Sequence, residues 1–323
     1  MNFKKLLVCA GLVSVSAFGV GCGGDDDGGT TPPPPPPPPP ACTAADLASG
    51  MSKVYVINVL SLAGPEGDAP PFTSAGYNVD SDSAVACNMH VPGETAEFAG
   101  QAPDNGSGID NALGGDLGNL ANSSLQDSVD DASVLLLVEV KGVDNFTNDN
   151  CVGVNFFLGA LPAGTMAPML GADGHIAPGQ TFDLSADSFA DGMAGTMPRI
   201  QFGSARIVAG RLQAGPADFP LALNLLGAEL NLTIKDAQLR FDITESTMSV
   251  GVLGGSLNTA QVIMTVNSIP DLAMYASVVE DTLTGLADID ENGSPDSCEA
   301  GSIALKLSGV SATRGAVVAG AAP

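Results

Sequence analysis

The chain has no tryptophan and only three tyrosines among its 323 residues. Sugar-binding sites depend on such rings for stacking, so a lectin or a glycosidase is disfavoured. Basic residues are also scarce, with 11 Lys and Arg against 36 Asp and Glu and a formal net charge of −25. A surface of that charge is repelled by phosphate backbones, which excludes a nucleic-acid partner.

Catalytic signatures are missing as well. The chain contains no GxSxG, HExxH or P-loop sequence and no CxxC pair, so it lacks the usual marks of hydrolases, P-loop nucleotide-binding enzymes and zinc or thioredoxin-like sites. With His90 and His175 as its only histidines, a histidine-rich metal site is not expected. A Ser–His–Asp arrangement would have to use one of these two residues, and neither has a catalytic motif beside it.

The N-terminal residues have the pattern of an export signal. Lys4 and Lys5 precede an apolar run at 6–18, which is shorter than the about 20 residues of a membrane span but typical of a signal peptide. The run ends at Gly19-Val20-Gly21-Cys22. This stretch resembles the lipobox of bacterial lipoproteins, although that family prefers Leu where Gly19 stands.

The lipobox resemblance implies a signal peptide at 1–21 and an acylated Cys22 as the mature N-terminus. Because Gly23 and not Asp follows the cysteine, sorting in that family implies an outer-membrane location. The membrane would then be reached through the acyl chains on Cys22, since so acidic a chain is repelled by anionic headgroups. The alternative is an ordinary secretory signal that leaves Cys22 as a free thiol.

A proline-rich segment follows the cysteine. The nine consecutive prolines Pro32–Pro40 favour an extended polyproline helix, a stiff spacer of ~28 Å at ~3.1 Å per residue. We interpret 22–41 as lipidated cysteine and tether, and 42–323 as a β-rich domain. A ligand for a proline-recognising module is the alternative for the proline run.

Four cysteines remain in the predicted domain: Cys42, Cys87, Cys151 and Cys298. In an exported chain they are expected to form two structural disulfides, each contributing ~2–4 kcal/mol to stability. Three connectivities are possible, and the spacing does not separate them.

The apolar pattern predicts a mainly β fold, an antiparallel β-sandwich-like single domain with two helical insertions. Strands are predicted at Lys53–Leu62, Ser133–Lys141, Cys151–Gly159 and Ser302–Val310, with several short alternating strands between Arg199 and Gly254. The helical insertions are predicted at 109–129 and 257–287, and residues 160–197 are expected to form loops.

One segment has the composition of a metal site. Residues 288–299 place acidic or amide oxygens at positions 1, 3, 5 and 9, Gly at position 6 and Glu at position 12. Calcium prefers six to eight oxygen ligands, and the glycine permits the sharp turn that gathers them. The segment resembles the calcium loops of EF-hands, dockerins and thrombospondin type 3 repeats.

By that resemblance a Ca²⁺ ion would be bound by Asp288, Asp290, Asn292, Ser294, Asp296 and Glu299, with Ser294 using its carbonyl. Two features depart from an EF-hand: Pro295 stands at position 8, and a strand pattern, not a helix, follows Glu299. The alternative is an ordinary acidic turn between a helix and a strand.

The chain as a whole resembles bacterial surface lipoproteins that join a lipobox, a low-complexity tether and an acidic β-rich domain, a group that implies no particular activity. We therefore expect a lipid-anchored protein of the cell envelope with a non-catalytic binding, adhesion or structural role. The alternative is an exported hydrolase stabilised by calcium, which would need a pocket with converging polar groups. A carrier of apolar ligands would need a continuous apolar cavity between the sheet and the 257–287 helix.

Overall fold

The computed structural model describes residues 42–63, 76, 77, 79, 111–225, 228–268, 276–291 and 298–320. The strands are β1 (Met51–Leu62), β2 (Leu136–Val143), β3 (Asn148–Ala160), β4 (Gln180–Ser185), β5 (Ile200–Val208), β6 (Arg211–Leu225), β7 (Ala228–Ile243), β8 (Thr247–Asn258) and β9 (Ala300–Val318). The helices are α1 (Ala44–Ser49), α2 (Ala112–Asp130), α3 (Thr259–Ser268) and α4 (Ala276–Gly285).

Eight of these strands close into an antiparallel β-barrel in the order β1-β2-β3-β5-β6-β7-β8-β9. The mainly β prediction is confirmed, but the predicted sandwich is wrong. The reason is β9, which pairs with β8 along one edge and with β1 along the other, from Val54↔Ala312 to Leu62↔Leu305. A sandwich keeps its sheets separate, whereas this last strand joins the two ends of one sheet.

The ninth strand, β4, lies outside this ring. It pairs in parallel with β9, from Gln180↔Ala312 onward, and touches the end of β3 at Leu184↔Gly159. The prediction of loops over 160–197 is therefore wrong at β4, and two short 3₁₀ turns follow it at Ala186–Ser188 and Gly192–Ala194.

Strand β3 is buried on both faces over residues 152–157. On the inner face of the ring, Phe156 meets Phe202 of β5 and Phe219 of β6 edge-on, with ring centroids 6.2 and 5.0 Å apart. On its outer face, Phe157 packs against Phe189, with centroids 5.2 Å apart. A strand buried on both faces has no solvent side to alternate with, so its side chains are mainly apolar, and its buried polar residue Asn155 is hydrogen-bonded to Glu139.

One predicted disulfide is confirmed. Cys42 is bonded to Cys151 of β3, with the two Cα atoms 5.4 Å apart. Cys298 is also disulfide-bonded. Cys87 lies outside the described residues, so its pairing stays a prediction.

Helices form where the apolar periodicity predicted them. The expected 109–129 helix is α2, and the expected 257–287 region contains the two short helices α3 and α4. Within the described ranges, none of the helices is both long and apolar enough to cross a membrane.

Side-chain amides of α2 complete one edge of β1. The pairing of β1 with β2 ends at Val56↔Leu137, so the rest of β1 lacks a neighbouring strand on that side. There Gln126 Oε1 accepts from Leu60 N (3.1 Å) and Gln126 Nε2 donates to Asn58 O (3.0 Å). Asn122 forms the matching pair with Leu62, accepting from its N (2.7 Å) and donating to its O (3.2 Å).

The spacing of residues along a helix and along a strand explains why α2 can replace a strand at this edge of β1. Residues four apart in a helix are separated by about 6 Å along its axis, close to the about 7 Å between alternate residues of a strand. Two amides at helix spacing therefore meet two alternate backbone groups, and each amide supplies both a donor and an acceptor.

Replacing Asn122 by Ala should lower the free energy of unfolding by about 1–3 kcal/mol, because Leu62 loses both partners of its buried backbone groups. Ser123→Ala is the matched control, since Ser123 is exposed on the same helix and both changes raise helix propensity by similar amounts. Urea unfolding measures the two values. Equal stability of the two variants would contradict the pairing.

Candidate functional site

The described ends of the predicted calcium loop lie side by side. Ile289 and Ala300 form an antiparallel bridge, and the Glu299 carboxylate accepts from Glu291 N at 3.2 Å. Positions 4 and 12 of the loop are thus in contact. Asn292, Ser294 and Asp296 lie outside the described residues.

Asp288, the first residue of that loop, also has a structural role. Its carboxylate accepts from the backbone N of Ser302 at 2.6 Å and from the Ser302 hydroxyl. The same hydroxyl accepts from Ala112 N (2.7 Å), the first residue of α2. Asp288 therefore joins the loop to β9 and α2.

Among the residues that the structure describes, no three His, Cys, Asp or Glu side chains group together as a metal site. The described residues include only half of the predicted calcium ligands. Cys22, the predicted lipidation site, also lies outside the described residues.

A buried carboxylate on β2 is held by neutral and cationic partners. Glu139 accepts from Asn155 Nδ2 at 2.9 Å and from Ser52 Oγ at 3.1 Å. Arg314 approaches it at 3.7 Å and stacks against Phe157 and Phe189, with its Cζ 5.4 and 5.7 Å from the ring centroids. A buried charge with this many partners is a structural network that fixes the outer face of the sheet.

The two described tyrosines are not acid–base groups at neutral pH. Burial raises the pKa of Tyr55 and of Tyr77 well above the ordinary value. Each phenol donates to a backbone carbonyl, Tyr55 to Thr244 (2.5 Å) and Tyr77 to Val252 (3.4 Å). Both remain neutral hydrogen-bond donors that fasten distant segments together.

An open cleft of about 500 Å³ lies beside the β5–β6 turn, lined by residues 208–211 and 242–244. Its two charged groups, Arg211 and Asp242, pair with one another at 2.7 Å. Both side chains are nearly half exposed, so the cleft lacks the desolvated polar groups typical of an active site.

The most distinctive polar cluster contains His175, Asp130 and Gln126. His175 Nδ1 lies 3.1 and 3.2 Å from the two carboxylate oxygens of Asp130 and 3.2 Å from Gln126 Nε2. Asp130 and Gln126 are four residues apart on α2, one turn from each other. Both side chains of the His–Asp pair are partly buried.

The hydrogen bonds determine which ring nitrogen carries the proton. The amide of Gln126 is oriented by Leu60 N, and its two hydrogens are directed to Asn58 O (3.0 Å) and Asp130 Oδ1 (3.1 Å). Gln126 therefore has no hydrogen left for His175, and Nδ1 must donate its own hydrogen to Asp130. In the neutral ring, Nε2 is then the acceptor, and no described residue bonds to it.

A short hairpin presents the histidine. Leu170 and Ile176 form an antiparallel bridge, and Gly171 N donates to His175 O at 2.7 Å. The Asp173 carboxylate accepts from His175 N at 3.2 Å, and Ile176 is fully buried. The hairpin therefore has one side chain in the core while His175 faces α2.

From the sequence, His175 was one of two histidines that a Ser–His–Asp triad could use, but no carboxylate partner could be named for it. The partner is Asp130, 45 residues earlier on α2, and the polar Gln126 and Asp130 at helical spacing were the available signal. A histidine held by a carboxylate at Nδ1 presents Nε2 as a base or as a metal ligand. Within the described ranges no serine, threonine or cysteine is bonded to Nε2, so the structure contains a pair and not a triad.

No known protein family, curated protein or solved structure matches the chain. The functional assignment therefore rests on the sequence pattern and the geometry of these clusters.

Nuclear magnetic resonance can detect the tautomer of His175 directly. We expect long-range ¹H–¹⁵N spectra at alkaline pH to show the Nδ1–H form, because Asp130 accepts that hydrogen. Asp130→Ala should move the ring toward the Nε2–H form that free imidazole prefers, with His90 as the internal reference. An Nε2–H ring in the unaltered protein would contradict the assignment.

Proposed function

We propose that the protein is anchored in the outer membrane by lipid on Cys22 and displays its β-barrel domain for a non-catalytic binding, adhesion or structural role. The observation that carries the proposal is the order of features along the chain: basic residues, an apolar run, a cysteine after small residues, and then nine prolines. This is the order found in tethered lipoproteins.

The start of the folded part suits a tethered domain. Cys42, one residue after the predicted tether, is crosslinked to Cys151 in β3. A pull on the tether would thus act on a barrel strand through a covalent bond, without unfolding α1 first. The net charge of −25 gives the protein no attraction to anionic headgroups, so the acyl chains would provide the attachment.

The roles of the described polar side chains favour a non-catalytic role. Glu139 and Asp288 accept hydrogen bonds that hold strands and helices together, and Asn122 and Gln126 complete β1. Inside the barrel, Phe156 packs edge-on against Phe202 and Phe219, so these rings belong to the core.

Expression of the full chain in a bacterial host tests the anchor. The protein should fractionate with membranes, and its N-terminal peptide should carry acyl mass on Cys22, whereas Cys22→Ser should be neither cleaved at that position nor acylated. Cys9→Ser, a change inside the predicted signal peptide, is the matched control and should behave like the unaltered chain. Release of unmodified protein into the soluble fraction would refute the anchor.

An exported hydrolase is the second candidate, and the His175–Asp130 pair favours it. Such an enzyme would need a nucleophile outside the described residues, close to Nε2 of His175. Labelling by a serine-directed phosphonate, abolished in His175→Ala, would support the hydrolase over the binding protein.

We also propose that residues 288–299 bind Ca²⁺ and so stabilise the domain. Support comes from the ligand pattern and from the bridge at Ile289↔Ala300, which brings Asp288, Asp290 and Glu299 to the base of one loop. Residues 288–299 contain five carboxylates, Asp288, Asp290, Glu291, Asp296 and Glu299, and a bound cation would reduce the repulsion among them.

Thermal unfolding in EDTA and in Ca²⁺ tests this site. Saturation to ten times the Kd should stabilise the folded state by roughly 1.4 kcal/mol, and Asp290→Ala should abolish the response. Asp288→Ala is a poor probe because it also removes the acceptor of Ser302. The exposed Glu280→Ala on α4 is the matched control, and Mg²⁺ tests ion selectivity.

An unchanged midpoint in Ca²⁺, or an undiminished shift in Asp290→Ala, would identify the loop as an ordinary acidic turn.

A further inference from the structure

Two exposed methionines lie immediately before the hairpin that presents His175. Met166 is 96% exposed and Met169 is 64% exposed, so neither side chain is buried in the hydrophobic core. Thioethers are soft ligands that favour Cu(I) over hard cations. Met166 and Met169 are three residues apart and directly precede the hairpin that carries His175, which distinguishes them from isolated surface methionines.

The register of the hairpin brings Met169 and His175 to one face. Leu170↔Ile176 is the bridged pair, flanked by the hydrogen bonds Gly171 N to His175 O and Ala177 N to Met169 O (2.7 and 2.9 Å). Side chains alternate between faces along each arm, so residues 169 and 175 lie on the face opposite to Leu170 and Ile176. Diagonal neighbours of this kind have Cβ atoms about 7–8 Å apart or less, a distance that both side chains can span to one ion.

Both arms of this hairpin are held in place. Gln180 of β4 accepts from Met169 N (2.7 Å) and donates to Met169 O (2.9 Å) and Ala177 O (2.8 Å). On the other arm, Asp130 fixes the His175 ring through Nδ1. The backbone that carries the two ligands is thus organised before any ion binds, which reduces the entropic cost of binding.

The carboxylate behind the imidazole also matches a metal ligand. Histidines that bind metals through one nitrogen usually donate the other N–H to a carboxylate or carbonyl, which fixes the tautomer and makes the ring a better ligand. Cys42, Cys151 and Cys298 are in disulfides, so they offer no thiolates to compete for a soft ion. Among the described residues near this hairpin, the two thioethers and the imidazole are the soft donors.

We propose that His175 Nε2, Met169 Sδ and Met166 Sδ form a binding site for a soft monovalent metal ion, Cu(I). This site is independent of the calcium loop and of the lipid anchor, and it requires no catalytic activity. Hydrogen peroxide, which transfers one oxygen atom to the Met169 sulfur and leaves water, replaces the soft sulfur by a hard oxygen and should release the ion.

Titration of the mature protein with Ag(I), a redox-stable substitute for Cu(I), tests the site by native mass spectrometry and competition with a chelator. We expect one tightly bound ion per chain. Met169→Leu and His175→Gln should each weaken binding at least tenfold, and Asp130→Ala about tenfold through the lost support of the ring. Met264→Leu is the matched control, because Met264 is 66% exposed on α3 and should leave affinity unchanged.

The ¹⁵N resonance of His175 gives a readout that does not depend on variants. Ag(I) should shift Nε2 and leave Nδ1 protonated, and Met169→Leu should keep the unliganded spectrum intact. Equal affinities of Met169→Leu and Met264→Leu, an unshifted Nε2 resonance, or tighter binding of Mg²⁺ than of Ag(I) would each overturn the proposal.

Discussion

The structure depends on completing the edge of β1. Strand β1 closes the barrel by pairing with β9 through residues 54–62, yet β2 stops beside Val56, so the far half of β1 has a partner on one side only. A buried backbone N–H or C=O without a hydrogen-bond partner lowers the free energy of unfolding substantially. The amides of Asn122 and Gln126 on α2 supply the missing donors and acceptors, and Asn111 continues the same pattern by accepting from Ala304 N of β9.

The same helix, α2, also positions the cluster of His175, Asp130 and Gln126. Gln126 has no spare hydrogen because it serves Asn58 and Asp130, and that shortage decides the tautomer of His175. The helix that completes the barrel thus also orients the imidazole, and the first residue of α2 is joined through Ser302 to Asp288 of the acidic loop. The same few polar side chains hold the fold together and form the candidate sites. This explains why several of them are partly buried without belonging to a pocket.

Local patterns predicted the local elements. The β-branched run at Lys53–Leu62 and the helical periodicity of 109–129 correspond to β1 and α2, because both signals come from neighbouring residues. The closure of the barrel could not be predicted in this way. Closure depends on pairs between distant residues, such as Val54↔Ala312. Residues 311–318 of β9 also have too few apolar side chains for the sequence pattern to predict a strand there. The partnership of His175 with Asp130 was also invisible, since it joins a loop to a helix 45 residues away.

Native-state hydrogen exchange of the Leu60 and Leu62 amides tests the central claim most directly. If α2 completes β1, both amides should exchange only through global unfolding. Their rates should be as slow as that of the Val56 amide, because Val56 pairs with a strand on each side. In Asn122→Ala, Leu62 should lose this protection while Leu60, held by Gln126, keeps it. Rapid exchange of Leu60 and Leu62 in the unaltered protein, as at a frayed edge, would show that the helix does not substitute for a strand.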